Sequence, residues 1–158
     1  MKKKIFIFTV LSFLIVLIDR VVKVLVNRYI SLNKVIDIIK NFIYITNVHN
    51  QGAAFSIMYG ERIMLILISI VFLGLIIYYI KKHNKYNIEF IFVVGGLIGN
   101  LIDRIIFGYV IDYIGVSIFK YNFPIFNIAD SFIVIGALIF VLRKDKKQVG
   151  DKIENNSK

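Results

Sequence analysis

The segment FNIADSFIVIGALIFVLRKDKK, residues 126–147, combines three features that decide the fold. It contains a long apolar run, it carries one acid, Asp130, near its start, and it ends in a cluster of Lys and Arg. An apolar run of this length is typical of a transmembrane helix, and basic residues gather on the cytoplasmic side of such helices. A carboxylate held beside a membrane is energetically costly, so Asp130 is a candidate functional residue.

The composition of the whole chain supports a membrane protein. Its 158 residues are 58% hydrophobic, and the mean hydropathy is +0.77. The net charge of +10 does not indicate nucleic-acid binding, because the lysines gather where apolar runs stop. The chain has no cysteine, and its two histidines, His49 and His83, are far apart in sequence. We therefore expect no metal, no cofactor and no nucleic-acid partner.

Four segments are long enough to cross the hydrocarbon layer, which takes about 20 mostly apolar residues. They lie at about residues 5–26, 63–80, 90–107 and 125–142. The first follows three lysines, as a signal peptide would, but no small-residue cleavage site comes after it, so we expect a retained helix. The sequence thus predicts a multi-pass, mainly α protein built as a bundle of four transmembrane helices.

The positions of Lys and Arg outside these spans predict the orientation. Twelve lie in the N-terminal segment, in the loop 81–89 and after residue 142, against five in the loops 27–62 and 108–124. Because positive charge marks the cytoplasmic side, we expect both termini to be cytoplasmic and Asp130 to lie near the extracytoplasmic surface.

The first outer loop, residues 27–62, is too long for a bare connection. Within it VIDIIKNFIYITNV, residues 35–48, is rich in β-branched and aromatic residues, and NQGAAF, residues 50–55, predicts a turn with small side chains. We expect a small β-sheet cap on the outer face of the membrane. The prediction is a single membrane domain over residues 1–147, followed by a disordered cytoplasmic tail at 148–158.

Polar residues inside the predicted spans are few. Asp19 and Lys23 stand four apart on one face of the first helix and can pair there, either to lock the helix into the bundle or to handle substrate. On the third helix, Asn100, Asp103 and Arg104 fall within one turn. We expect Asp103 and Arg104 to form an ion pair with each other and to support the structure.

Gly95 and Gly99 precede these residues at the spacing that lets another helix approach closely.

Asp112 and Asp130 differ from the other acids, because neither has a basic residue among its sequence neighbours. Both are predicted at the outer membrane surface, where they can meet in space or remain isolated packing acids. If they meet in a partly desolvated site, both cannot readily ionise, so one keeps its proton. Such a pair is the arrangement of an aspartic peptidase, in which one carboxylate activates water.

Other classes fit the residues less well. A small proton-coupled transporter or channel subunit would place acids at mid-membrane, and its halves would show symmetry. A metal or serine intramembrane protease would need a His-Glu-x-x-His motif or a histidine near a nucleophilic serine, and the sequence offers neither. A structural scaffold would need no pair of acids.

The sequence resembles the bacterial lipoprotein signal peptidases, also called type II signal peptidases, over nearly its whole length. The matching strings are DRVVK at 19–23, NQGAAFSI at 50–57, GGLIGNLIDRIIFGYVIDYI at 95–114 and FNIADS at 126–131. The resemblance implies that Asp112 and Asp130 are the catalytic pair. The supporting polar residues that it implies are Asp19, Lys23, Asn50, Gly52, Asn100, Asp103, Arg104 and Asn127.

The resemblance also implies the substrate and the location. Such enzymes act in the bacterial cytoplasmic membrane on prolipoproteins that carry diacylglycerol on a cysteine, and they cut just before that cysteine. Membrane lipid and these lipidated proteins are the implied partners. Two residues depart from the family pattern: Tyr113 stands where phenylalanine is usual, and Gly115 where many members have an acid.

Overall fold

The computed structural model describes residues 1–52, 58, 60–119 and 121–156, with side chains as far as residue 143. These residues form four helices and four strands in the order α1-β1-β2-α2-α3-β3-β4-α4. The helices are α1 Lys2–Tyr29, α2 Arg62–His83, α3 Ile88–Ile106 and α4 Ile128–Asn156. The strands are β1 Ile36–Ile39, β2 Ile43–Asn50, β3 Val110–Ile118 and β4 Tyr121–Asn122. Most of the turn expected at residues 50–55 lies outside the described residues.

The α3 helix is the centre of the bundle and packs against α1, α2 and α4. Its glycines permit the close approach that the sequence predicts. A Cβ on Gly95 would lie 2.8 Å from Cβ of Ile15, and a Cβ on Gly99 would lie 2.9 Å from Oδ2 of Asp19, both on α1. Small residues at this interface therefore bring the polar groups of α1 and α3 together.

The distribution of burial is the reverse of that in a soluble protein. The most buried large side chains are polar or charged, among them Lys23, Asp103 and Asn127, whereas apolar side chains such as Ile63 (74% exposed) and Val71 (61%) face outward. Soluble proteins rarely expose so much contiguous apolar surface. The outward faces are suited to lipid.

Among the described helices, α1 and α2 are long and apolar enough to cross a membrane. The α3 helix carries Glu89, Asp103 and Arg104, and α4 carries Asp130 and a basic end, so these two helices do not reach that level of apolarity. The bundle of four transmembrane helices remains a prediction at this point.

The strands form one antiparallel sheet in the order β1-β2-β3-β4. The sheet predicted in the first outer loop is confirmed, but it is larger than expected, since β3 and β4 come from the second outer loop. One face of β3 places Ile111 and Tyr113 against Val26 of α1. The other face carries Asp112, opposite Val48 of β2.

The α4 helix continues to Asn156, through most of the segment for which we expected disorder. Lys144, Lys146 and Lys147, just before this segment, have high helix propensity and extend a helix that packing has already nucleated.

Candidate active site

Asp112 is held between two asparagine side chains. Its Oδ2 accepts a hydrogen bond from Nδ2 of Asn50 (2.8 Å), and its Oδ1 accepts one from Nδ2 of Asn127 (2.7 Å). The residue is only 3% exposed. This burial, and then the charge of the nearby Asp130, raise the pKa of Asp112 to about 7.

Asp130 lies in the first turn of α4. Its Oδ1 accepts a hydrogen bond from Nδ2 of Asn100 (2.7 Å), and its Oδ2 accepts one from the backbone N–H of Asn127 (3.2 Å). In return, the backbone N–H of Asp130 donates to Oδ1 of Asn127 (2.8 Å). This reciprocal pair is a capping box, and the start of a helix also favours a negative charge.

Asn127 joins the two acids. Its Nδ2 donates to Asp112 and also to Oδ1 of Asn100 (3.2 Å), while its backbone N–H donates to Asp130. The side chain is fully buried, so its position is fixed by these partners. Two carboxyl groups that are distant in sequence are therefore held by one residue.

A buried lysine fixes the orientation of the next amide. Nζ of Lys23 donates to Oδ1 of Asn100 (2.9 Å) and forms ion pairs with Asp19 (2.7 Å) and Asp103 (2.9 Å). Because Oδ1 of Asn100 faces a cation, Nδ2 of Asn100 is left to face Asp130. The Asp19–Lys23 pairing expected from the sequence is confirmed, and Asp19 also accepts a hydrogen bond from the backbone N–H of Ala129 (2.9 Å).

The expected ion pair between Asp103 and Arg104 is wrong. Asp103 pairs with Arg20 (2.6 Å) and Lys23, both on α1. Arg104 instead donates to the backbone oxygen of Gly52 (3.2 Å). Successive side chains on a helix project about 100° apart, so adjacent residues of α3 face different neighbours. Arg20, which the sequence did not single out, is thus the missed partner of Asp103.

Gly52 and Arg104 extend the site toward the first outer loop. The backbone N–H of Gly52 donates to Oδ1 of Asn50 (2.9 Å), which turns Nδ2 of Asn50 toward Asp112. Arg104 is partly buried, and its positive charge lies near both Asp112 and Asp130. All ten residues predicted for the site are thus linked by contacts around the two acids.

The two acids line a cleft of about 1250 Å³ between the sheet and α4. Its polar side is formed by Asn50, Asn100 and Arg104, together with the acids. Its apolar walls come from β3, from the segment after β4 and from α4, including Val116, Phe123, Ile125, Ile133 and Val134. A polypeptide with apolar side chains fits such a cleft.

His49 also lines the cleft, and the sequence offered no signal for this position. Its ring stacks on Tyr109 with a centroid distance of 3.9 Å, and its Nε2 lies 3.2 Å from Oδ1 of Asn27. Within the described ranges, no three His, Cys, Asp or Glu side chains converge as metal ligands would. The chemistry that these residues can perform is acid–base chemistry by the two carboxyl groups.

Comparison with known proteins identifies similar chains. A family model described as signal peptidase (SPase) II matches residues 11–144. The lipoprotein signal peptidase of Halalkalibacterium halodurans is 38% identical over 156 residues, covering 96% of this chain and 99% of that protein. The lipoprotein signal peptidase of Halothermothrix orenii is 41% identical over 142 residues, covering 87% and 95%.

Two solved structures, each described as a bacterial membrane enzyme determined by the in meso method, have a similar fold. The one at 2.3 Å resolution gives a TM-score of 0.82 at 32% identity, covering 89% of this chain and 88% of that chain. The one at 1.9 Å gives 0.77 at 32% identity, covering 86% and 90%.

Proposed function

The chain belongs to the signal peptidase II family, and from this premise we propose that Asp112 and Asp130 form its catalytic pair. As a member of this family it is a lipoprotein signal peptidase and an aspartic protease, so the transporter alternative is set aside. The observation that carries the assignment of the pair is the position of Asn127, whose side chain binds Asp112 and whose backbone binds Asp130.

The two acids have different protonation states in the proposed mechanism. Asp112 holds the proton at pH values up to about 7, because burial and then the neighbouring charge of Asp130 raise its pKa to about 7. Asp130 supplies the carboxylate of the pair, and it accepts hydrogen bonds from Nδ2 of Asn100 and from the backbone N–H of Asn127. The ionised member takes a proton from water, and the neutral member donates a proton to the substrate carbonyl.

The water then attacks the scissile carbonyl carbon, and no covalent intermediate with the enzyme forms. The tetrahedral intermediate then collapses with breakage of the C–N bond. Its hydroxyl proton returns to Asp112, and the proton that Asp130 took from water passes to the leaving nitrogen. Asn50 and Asn100 orient the acids, since the Nδ2 of each donates to one of them. Arg104 lies on the cleft, where its charge can stabilise negative charge that develops on the carbonyl oxygen.

The proposed substrates are prolipoproteins whose cysteine carries diacylglycerol, cut on the amino side of that cysteine. The acyl chains remain in the lipid beside the helices, so the site must lie at the edge of the bilayer. Asp112 and Asp130 stand where β3 and the start of α4 meet, beside apolar helix faces that are suited to lipid.

We also propose that all four helices cross the cytoplasmic membrane. Because β3 pairs with β2, α3 must return to the side on which α2 began. The start of α4 is joined to β3 by the pairing of Phe126 with Ile114. At the other end, Arg143 of α4 forms an ion pair with Glu89 at the start of α3 (2.6 Å).

With both termini cytoplasmic, the sheet and the two acids are extracytoplasmic. Residues 1–147 form the peptidase domain, and 148–158 is a cytoplasmic tail.

The test of the catalytic pair is cleavage of a diacylglyceryl-modified preprolipoprotein by Asp112→Asn and Asp130→Asn, each purified and reconstituted in lipid. Each variant is expected to lose at least about 1000-fold in kcat, because each removes one partner of the proton transfers. The control is the thermal unfolding temperature, which confirms that each variant is folded. Wild-type activity in either folded variant would refute the assignment.

A further inference from the structure

A second cavity lies beside the catalytic cleft along the sheet. This side cavity has a volume of about 370 Å³. It shares Tyr44, Val48, Asn122 and Ile125 with the cleft, and it is completed by Asn33, Val35 and Thr46. Its lining is a mixture of amide, hydroxyl and aliphatic groups, which suits a peptide segment with a side chain of moderate size.

The ring of Tyr44 stands between the two cavities because its cross-strand partner is a glycine. Tyr44 of β2 lies opposite Gly115 of β3. A Cβ on Gly115 would overlap the Tyr44 ring, so the ring occupies the space that any other residue at 115 would fill. Tyr44 is half-buried, whereas Gly115 beneath it is buried. The ring is therefore pinned over the glycine and borders both the cleft and the side cavity.

The distance from the acids indicates which part of a bound peptide meets this ring. Gly115 is three residues beyond Asp112 on β3, about 10 Å along the strand. An extended peptide covers the same distance with three residues counted from the scissile carbonyl. The Tyr44 end of the sheet is also the end farther from α3, since Asn50 and Val110 pair at the opposite end, close to α3. A signal peptide stays with the helices in the bilayer, so the peptide that leaves along the sheet is the mature part.

We propose that Tyr44, seated on Gly115, is a specificity-determining residue that limits the size of the second residue after the cysteine of the substrate. The inference rests on the proposed peptidase function of the cleft. In the wild-type enzyme the ring closes the side cavity to a bulky side chain at this position. Removal of the ring joins the two cavities and admits one.

The test uses matched lipidated preprolipoproteins with Gly or Phe as the second residue after the cysteine. The wild-type enzyme is expected to show a kcat/KM at least about 10-fold higher for the Gly substrate, carried mainly by KM. Tyr44→Ala is expected to reduce this ratio to about 2-fold or less. Gly115→Ala, whose added methyl group displaces the ring, is expected to change the ratio in the same direction, and Tyr44→Phe, which keeps the ring, is expected to preserve it.

Two controls separate the inference from other effects. Ile38→Ala shortens an exposed residue of β1 that lines neither cavity, and it should leave the Gly-to-Phe ratio as in the wild type. A second substrate pair carries Gly or Phe three residues before the cut, and its ratio should not respond to Tyr44→Ala. An unchanged ratio in Tyr44→Ala, or a change confined to this second pair, overturns the inference. Failure of the wild type to cut the Gly substrate would instead contradict the proposed function.

Discussion

At the scale of single residues, Asp112 and Asp130 are the same side chain in different surroundings. Asp112 is a buried strand residue whose carboxyl group faces two amides and a second acid. Asp130 belongs to the capping box of α4, where it exchanges hydrogen bonds with Asn127 at the start of the helix. In the proposed mechanism, the raised pKa of Asp112 is the reason that Asp112 carries the proton of the pair.

The pH dependence of the rate tests this role of Asp112. Because Asp112 must be protonated to donate, the rate is expected to fall as pH rises through about 7. The hydrogen bond from Asn50 lowers the pKa of Asp112, so Asn50→Ala should move this alkaline limb to higher pH. Initial rates in reconstituted vesicles between pH 5 and pH 9 provide the measurement. A limb that moves to lower pH would contradict the assignment of the proton to Asp112.

The unfolding free energy of the enzyme should also depend on pH through the titration of Asp112. The pKa of Asp112 is raised above its unfolded value of 3.8, so the folded state keeps a proton that the unfolded state releases. The unfolding free energy contributed by Asp112 is therefore highest below pH 4 and falls, by an amount on the order of 4 kcal/mol, as pH rises through about 7. Thermal unfolding in detergent should show this decline in the wild type and a weaker one in Asp112→Asn. Identical profiles would count against the raised pKa.

The orientation of Asn100 by Lys23 is also testable. Lys23→Met should lower both the unfolding temperature and kcat, because two buried carboxylates lose a partner and Asn100 is no longer held toward Asp130. Arg20→Met is the matched control, since Arg20 pairs with Asp103 of the same network. It should lower the unfolding temperature with little change in kcat. If the two variants lost kcat in the same proportion to their drop in unfolding temperature, the role of Lys23 would be only structural.

At the scale of elements, the close approach of α3 and α4 depends on Gly96. A Cβ at this position would overlap the backbone oxygen of Ala129 and lie 2.7 Å from Cγ1 of Ile133. Gly96→Ala is therefore expected to destabilise the bundle by about 1–3 kcal/mol and to displace Asp130, which follows Ala129. Gly74→Ala on α2 is the matched control, because nothing lies within 4 Å of its added Cβ. The comparison requires unfolding temperatures and activities of both variants, and equal stability of the two would contradict this account of the interface.

The elements also show what the sequence could predict. The length of the apolar runs predicted all four helices, because each helix contains one long run. Seven of the eight helix ends lie within three residues of the predicted ends, and the exception is the C-terminal end of α4. The sheet was predicted only in part. Residues 108–118, GYVIDYIGVSI, carry the β-branched and aromatic residues of a strand, but the sequence prediction placed them only in the second outer loop. The two acids were found because both lack nearby cations in the sequence.

Contacts between elements lay beyond what the sequence could predict. The partner of Asp103 is set by the rotation of α3 relative to α1, and periodicity along one helix does not determine that rotation. The seat of Tyr44 on Gly115 depends on strand register across a β-bulge between Ile45 and Val48. Both features require two elements to be placed in space.

At the scale of the whole molecule, the polar and apolar regions are arranged for a reaction at the bilayer edge. Charged residues are buried between α1, α3 and α4, while apolar side chains cover the outside of the helices. In the proposed function, this arrangement leaves the acyl chains of a lipidated substrate in lipid and brings only its peptide to the acids. A soluble aspartic protease would have no reason to place its acids where apolar helix faces meet a sheet.

This arrangement requires that α3 crosses the membrane, and cysteine labelling can test the crossing. The chain has no cysteine, so a single introduced cysteine reports one position. Phe119→Cys in the turn between β3 and β4, where Phe119 is 99% exposed, should react with a membrane-impermeant maleimide added to intact cells. Lys82→Cys near the end of α2 should react only after the membrane is opened. If α3 did not cross, both positions would lie on the same side of the membrane and label alike, and the proposed four-span topology would have to be abandoned.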